Sequence, residues 1–319
     1  MDTQPLDPLL KLTQTLLDGF AVGGMYALIA LGYTMVYGIL KFINFAHSDV
    51  FTLGAWVSWV LAVRVLRLDG VADAGGAPLW AVPIVLLGAM LACGTVGFLI
   101  ERLAYKPLRA APRLNVLITA IGVSLLLQNV GQLRVVFGPY PKSMPPLLPD
   151  VTLLHVAGVR VPVVDVLVIG LPLVLMLGLE WLIFRTRVGL AMRAVSYNPQ
   201  TAALMGVNVN RVISFTFVLG SALAAAAGFL YALKYVGLKQ PADTTWVMLG
   251  LKAFVAAVVG GIGNVRGAML GGFAIGLLEF LGVAYLEPLY RDVYVFAVLI
   301  LVLLFRPAGL LGRATVEKV

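Results

Sequence analysis

Charge is scarce in this chain, and cysteine and histidine are almost missing. Only 12% of the 319 residues are charged, about half the share in a soluble domain, while 61% are hydrophobic. No soluble fold of this size hides that much apolar surface, so the chain reads as a polytopic membrane protein. Its one cysteine, Cys93, lies in an apolar run, which excludes an internal disulfide and says nothing of a redox compartment. The two histidines, His47 and His155, stand far apart, so there is no His/Cys cluster with metal-ligand spacing. There is no G-x-x-x-x-G-K-[ST] stretch, hence no P-loop for a nucleotide. Nothing calls for a cofactor or a metal, and too few polar residues fall within the apolar runs to suggest a membrane enzyme. The first residues carry no basic n-region and no A-x-A site, so no removable signal peptide is expected, and the first span would serve as its own insertion signal.

What is present is a series of apolar segments: 16–40, 50–65, 79–99, 116–136, 163–184, 212–233, 247–259, 268–286 and 293–305. A helix needs roughly 20 apolar residues to span a bilayer, and the second, seventh and ninth segments are short for that. The expected fold is all-α: one transmembrane domain over 1–319, a multi-pass bundle of eight or nine segments with broken or re-entrant pieces. The abundance of glycine fits close helix packing in lipid.

The net charge of +8 sits at the ends of apolar runs, which argues for membrane topology and against nucleic-acid binding. Arg102, Lys106, Arg109 and Arg113 place the connection after the third segment in the cytoplasm. The loop 185–211 holds Arg185, Arg187, Arg193 and Arg211 without one carboxylate, and belongs on the same side. So does the tail with Arg306, Arg313 and Lys318. The connection 134–162, with Pro139, Pro141, Pro145, Pro146 and Pro149, then falls outside as an extended loop. Nine crossings put the N-terminus outside; eight put it inside.

The middle of the loop 185–211 reads as a short, well-terminated helix. Asn198 suits the cap, Pro199 the first position, and Gly206 the left-handed residue that ends it. Such a helix on a basic cytoplasmic loop suits either docking of a soluble partner or a plain interfacial linker.

Two polar or glycine-rich interruptions break the apolar runs, one in each half. The first contains Phe42, Asn44, Phe45, His47 and Asp49; the second contains Gly261, Ile262, Gly263 and Asn264. In transporters, interrupted segments at corresponding places in two halves point to the substrate path. Two tight surface loops are the alternative. His47 and Asp49 suit either a hydrogen-bonded pair on that path or the start of a helix, where Asp49 favours the N-terminus. Lys252 and Glu279 are expected to pair across neighbouring helices; alternatively Lys252 meets a substrate carboxylate. Arg64, Glu101, Arg102 and Glu180, near segment ends, are expected to snorkel to the interface.

The run 23–56, GGMYALIALGYTMVYGILKFINFAHSDVFTLGAW, resembles the opening of branched-chain amino acid ABC permeases of the smaller, H-type subunit. The stretches 185–212, 251–272 and 306–312 match in the same order, so the resemblance covers nearly the whole chain. It departs where Ser48 and Asp49 stand for the usual glycine and glutamate, and where the loop around Pro199 lacks acidic residues. The resemblance implies a multi-pass subunit of the bacterial inner (plasma) membrane that pairs with a second, homologous permease subunit. It further implies two cytoplasmic ATPase subunits and a soluble periplasmic or lipid-anchored substrate-binding protein. The chain itself would have no ATPase site. The coupling helix would lie at 199–206, with Arg193, Asn198, Pro199, Thr201, Ala202, Ala203, Met205 and Gly206 as its residues. Relatives also handle urea, amides or other amino acids. Without the resemblance, an autonomous secondary transporter or channel using His47, Asp49, Lys252 and Glu279 as an ion relay is the competing class.

Overall fold

The computed structural model describes residues 8–69, 77–109, 111–149, 151–156 and 159–312. Arg313 and Lys318 therefore lie outside the described residues. The architecture is a helical bundle centred on α1 (Pro8–Leu40). Around it run α2 (His47–Val60, extended by a π-turn to Val65), α3 (Ala81–Ile100), α4 (Arg113–Gln132), α5 (Val163–Arg185) and α6 (Arg187–Tyr197). The chain continues through α7 (Pro199–Leu204), α8 (Val209–Lys234), α9 (Thr244–Gly260), α10 (Val265–Tyr285) and α11 (Arg291–Phe305). Among the described residues, eight helices are long and apolar enough to cross a membrane. α9 has 17 residues, or about 25 Å, and packs against α10, α1, α2 and α11.

Glycine lets α1 and α10 touch backbone to backbone. A Cβ on Gly272 would fall 2.4 Å from Ala27 Cα, and one on Gly276 the same distance from Gly23 Cα. α2 and α8 cross as closely: a Cβ on Gly54 would meet Ala225 Cα at 2.5 Å, and one on Gly228 would meet Phe51 O at 2.3 Å. In lipid, where apolar surface gains little by leaving its surroundings, this close packing holds helices together. α1 is buried over 94% of its most apolar stretch, against 17% for α4 and 6% for α11, so α1 is the axis and α4 and α11 face outward.

The two ends of the bundle differ in charge. At one end Arg109 donates to Asn210 Oδ1 (2.6 Å), Arg266 pairs with Glu180 (2.6 Å), and Ser196 Oγ donates to Gly38 O (2.7 Å). These contacts gather the loops 106–112, 185–211 and 261–264 at one basic face. At the opposite end Lys234 bridges Asp18 (3.0 Å) and Asp165 (2.8 Å), joining α1, α5 and α8. Asp243 caps α9 there, and the Thr245 hydroxyl and N–H hold its carboxyl below the usual range. The N-terminal end of α1 thus lies opposite the loop 185–211, in keeping with the nine-pass alternative.

The structure corrects two expectations. Glu101 does not snorkel: it is fully buried, paired with Arg109 and accepting from Ser214 Oγ at 2.6 Å. The connection 134–162 is not simply extended. It holds β2 (Thr152–Val156) and β3 (Val159–Pro162) as an antiparallel hairpin, and β1 (Lys142–Ser143) pairs with β4 (Gly237–Leu238). Proline marked where the regular helix stops, but gave no signal for which strands would find partners.

Candidate functional site

The loop 185–211 is two helices rather than one. Thr186 caps α6 by accepting from Gly189 N at 3.1 Å. The bend at Thr186 brings Gly189 so close to the end of α5 that a Cβ there would meet Ile183 O at 2.2 Å. α6 buries Met192 and Val195 against the bundle, an amphipathic helix for which the sequence alone gave no expectation. α7 lies where expected. Asn198 Oδ1 accepts from Gln200 N (2.9 Å) and Thr201 N (3.0 Å), Pro199 opens the helix, and Gly206 at φ 84° closes it. Ala202 is buried under α7, whereas Thr201, Ala203, Leu204 and Met205 face solvent. Three large apolar side chains stand nearly bare: Tyr197 at 94%, Leu204 at 88% and Met205 at 80% exposure. Arg193 turns the other way and stacks on Phe184, 5.6 Å from its ring centre.

Both interruptions lie around the basic end of α1, at different depths. His47, the first residue of α2, packs its ring where a Cβ on Gly32 would be. α1 runs on for two more turns to Leu40, roughly 12 Å, so the segment 41–46 climbs back into the bundle before α2 begins. α2 is therefore a helix that starts inside. Asn44 serves that turn: its Oδ1 accepts from Ala46 N (3.1 Å) and from Tyr105 OH (2.6 Å). Asp49 Oδ1 accepts from Gln128 Nε2 at 2.9 Å, tying α2 to α4 rather than to His47. Rings surround the turn: Tyr33 lies 4.9 Å from His47 and 5.8 Å from Phe254, Phe45 lies 6.4 Å from Phe254, and Phe42 lies 5.2 Å from Tyr105.

The second interruption is a turn between α9 and α10, with Gly261 and Gly263 at φ 109° and 92°. Asn264 caps α10 through Arg266 N (3.1 Å) and Gly267 N (3.3 Å). The tail 309–312 folds over it. Leu310 N donates to Val259 O (2.8 Å), Leu311 N to Gly260 O (3.1 Å), and Asn264 Nδ2 to Leu311 O (2.7 Å). Gly261 is buried by this tail, Ile262 is half-buried, and Gly263 is exposed beside Gly38 of α1.

Toward the opposite end lies a cavity of about 480 Å³ among α1, α8, α9 and the start of α11. The expected Lys252–Glu279 pair is there, at 2.7 Å, but it belongs to a larger cluster. Lys252 Nζ also meets Asp292 Oδ1 at 2.5 Å, Arg291 pairs with Glu279, and Tyr26 OH donates to Glu279 Oε2 at 2.8 Å. Arg291 and Asp292 gave no signal in the sequence, because charges at the start of an apolar segment look like an ordinary membrane boundary.

A bundle of antiparallel apolar helices, one of them starting inside, with a capped helix on a basic loop, has the build of a multi-pass membrane permease. A family model described as "Branched-chain amino acid transport system / permease component" matches residues 15–303, and the chain belongs to that family. It is 42% identical to the high-affinity branched-chain amino acid transport system permease protein BraD of Pseudomonas aeruginosa, over 96% of this chain and 97% of that one. It is 41% identical, with the same coverage, to the LivH permease protein of the corresponding Escherichia coli system. A probable branched-chain amino acid transport permease protein LivM of Methanocaldococcus jannaschii is 26% identical over 90% of each chain. No solved structure matches. The apolar helices and these relatives describe a multi-pass protein of the bacterial inner membrane.

Proposed function

We propose that this chain is a permease subunit of an ATP-driven (ABC) importer and forms half of the translocation path for branched-chain or related amino acids. The observation that carries the reading is α7. A capped helix flanked by bare Tyr197, Leu204 and Met205 on a basic face is a surface prepared for a protein partner. The positive-inside rule puts that face in the cytoplasm, where the partner is an ATPase subunit seated on α7. ATP is hydrolysed by two such subunits and not by this chain, whose sequence has no phosphate-cradling loop. A second, related permease completes the path, and likeness to both LivH- and LivM-named proteins supports such a pairing. A soluble periplasmic or lipid-anchored binding protein delivers the amino acid from outside.

The path passes the inner part of the bundle at the two interruptions. Phe42, Asn44, Phe45, His47 and Asp49 shape the re-entrant start of α2; Gly261, Ile262, Gly263 and Asn264 form the turn beside Gly38. The rings of Tyr33, Phe45, His47 and Phe254 close it in the resting state. Ser196, bonded to Gly38 O, ties the coupling loop to the end of α1 (2.7 Å). A push on α7 is transmitted through α6 to the helix that both interruptions touch.

Ala203→Asp tests the reading. Ala203 faces solvent at the middle of α7, so the variant folds; in a partner's groove the new carboxylate is buried and unpaired. ATPase co-purification and leucine uptake should both fall while the amount of permease in the membrane stays the same. Normal assembly with normal uptake would remove α7 as the docking element. Competition of leucine uptake by valine but not by urea separates the amino-acid reading from an amide permease.

A further inference from the structure

Two features coincide at the end away from the coupling loop: an open cavity and a charge-balanced cluster. The cavity, about 480 Å³, is of the size of small-molecule sites, and Val22, Met25, Ile29 and Leu249 give it an aliphatic wall. Its polar edge is built by Lys252, Arg291 and Asp292, with Glu279 behind them. Glu279 is fully buried and already engaged by Tyr26, Lys252 and Arg291, so it acts as the anchor of the cluster. Lys252 is only 5% exposed and spends its charge on Glu279 and Asp292. The two members that solvent reaches are Arg291, 41% exposed, and Asp292, 53% exposed: one cation and one anion on adjacent residues. Arg291 spends Nε on Glu279 and keeps its Nη donors; Asp292 spends Oδ1 on Lys252 and keeps Oδ2.

We propose that this cavity is an external-side binding site for a free aliphatic α-amino acid zwitterion, with Arg291 receiving the α-carboxylate, Asp292 the α-ammonium, and the Val22/Met25/Ile29/Leu249 wall the side chain. The proposal rests on the importer reading above and gives that reading a site that neither interruption supplies. A zwitterion adds no net charge to a cluster of two cations and two anions. An amine or an acid alone brings a net charge into this balanced, partly desolvated place, which is costly. The site lies on the far side of the aromatic layer from the basic face, where an imported molecule arrives first.

The test uses the full transporter in cells, with cysteine at position 248 in a Cys93→Ala background. Met248 lines the cavity and is 41% exposed, so Met248→Cys should react with an impermeant maleimide added outside. Leucine should slow that reaction, whereas 3-methylbutylamine and 4-methylpentanoate, each lacking one charge, should not. Asp292→Asn and the space-filling Leu249→Trp should abolish the protection and lower leucine uptake at least about tenfold, as expected when a paired charge is removed from a site. ATPase co-purification in those variants should match the parent, which a misfolded subunit would not. If leucine uptake by the parent is intact but labelling ignores leucine, or both variants transport normally, the cavity is not the site and the importer reading stands. If the parent complex imports no amino acid, both fall together. Equal protection by the amine or the acid overturns the zwitterion assignment.

Discussion

At Gly272 a single methyl group decides whether α1 and α10 can meet. Its Cβ would sit 2.4 Å from Ala27 Cα, and the obstacle is backbone, which has no rotamer to yield. Gly272→Val should therefore sharply lower the amount of folded protein, read as the thermal midpoint in detergent. Gly178→Ala on α5 meets no atom within 4 Å and removes a flexible residue from a helix. It should leave the midpoint unchanged or raise it by the equivalent of about 1 kcal/mol. If both variants behave alike, backbone contact is not what holds α1 to α10. The sequence displays all its glycines equally. Small residues follow both interruptions, at Gly54 and at Gly271 and Gly272, but Gly228 is distinguished only by its opposite number in α2. The same limit hid Glu101: its acceptor role for Ser214 joins residues more than a hundred apart, and nothing local foretells it. Lys252 and Glu279 were legible because charge inside an apolar run needs a partner, and few candidates exist.

Among the elements, α7 was readable before the fold because its signals are local. Asn-Pro at its start and glycine at its end fix the backbone without tertiary help. α6 was not, since only its burial of Met192 and Val195 against the bundle makes it a helix worth having. Asn198→Ala removes the cap that holds two N–H groups, at about 1 kcal/mol. A helix of 6 residues has little to offset that. Asn198→Ala should loosen α7 and weaken ATPase retention, while Asn198→Asp, which keeps the acceptor, should restore it. Loss of retention in both variants would point to a contact made by Asn198 itself. The second segment looked too short to cross. The structure corrects this: with its π-turn to Val65, α2 runs 19 residues and is long and apolar enough to cross, although the chain re-enters the bundle before the helix begins.

For the molecule as a whole, the charge of its two faces makes a prediction that one experiment reads. Pro141→Cys, in the outer connection, should be labelled by an impermeant reagent on intact cells, and Asn198→Cys only after the membrane is opened. Outside labelling at 198 would invert the topology. The bundle class was visible in the hydropathy, since each membrane-spanning helix carries its own apolar run, whereas the choice between eight and nine passes was not. The depth of each helix was not, because apolar lipid-facing and protein-facing sides look alike in sequence. α1 is the extreme case. It comes before every other described helix in the chain, yet the folded molecule buries nearly all of its most apolar stretch. Its closest backbone partner, α10, is made some 240 residues later, so α1 must wait in the bilayer with its glycine face filled by acyl chains. Assembly is then an exchange in which a late helix evicts lipid from an early one. Closure of the bundle around α1 therefore awaits α10.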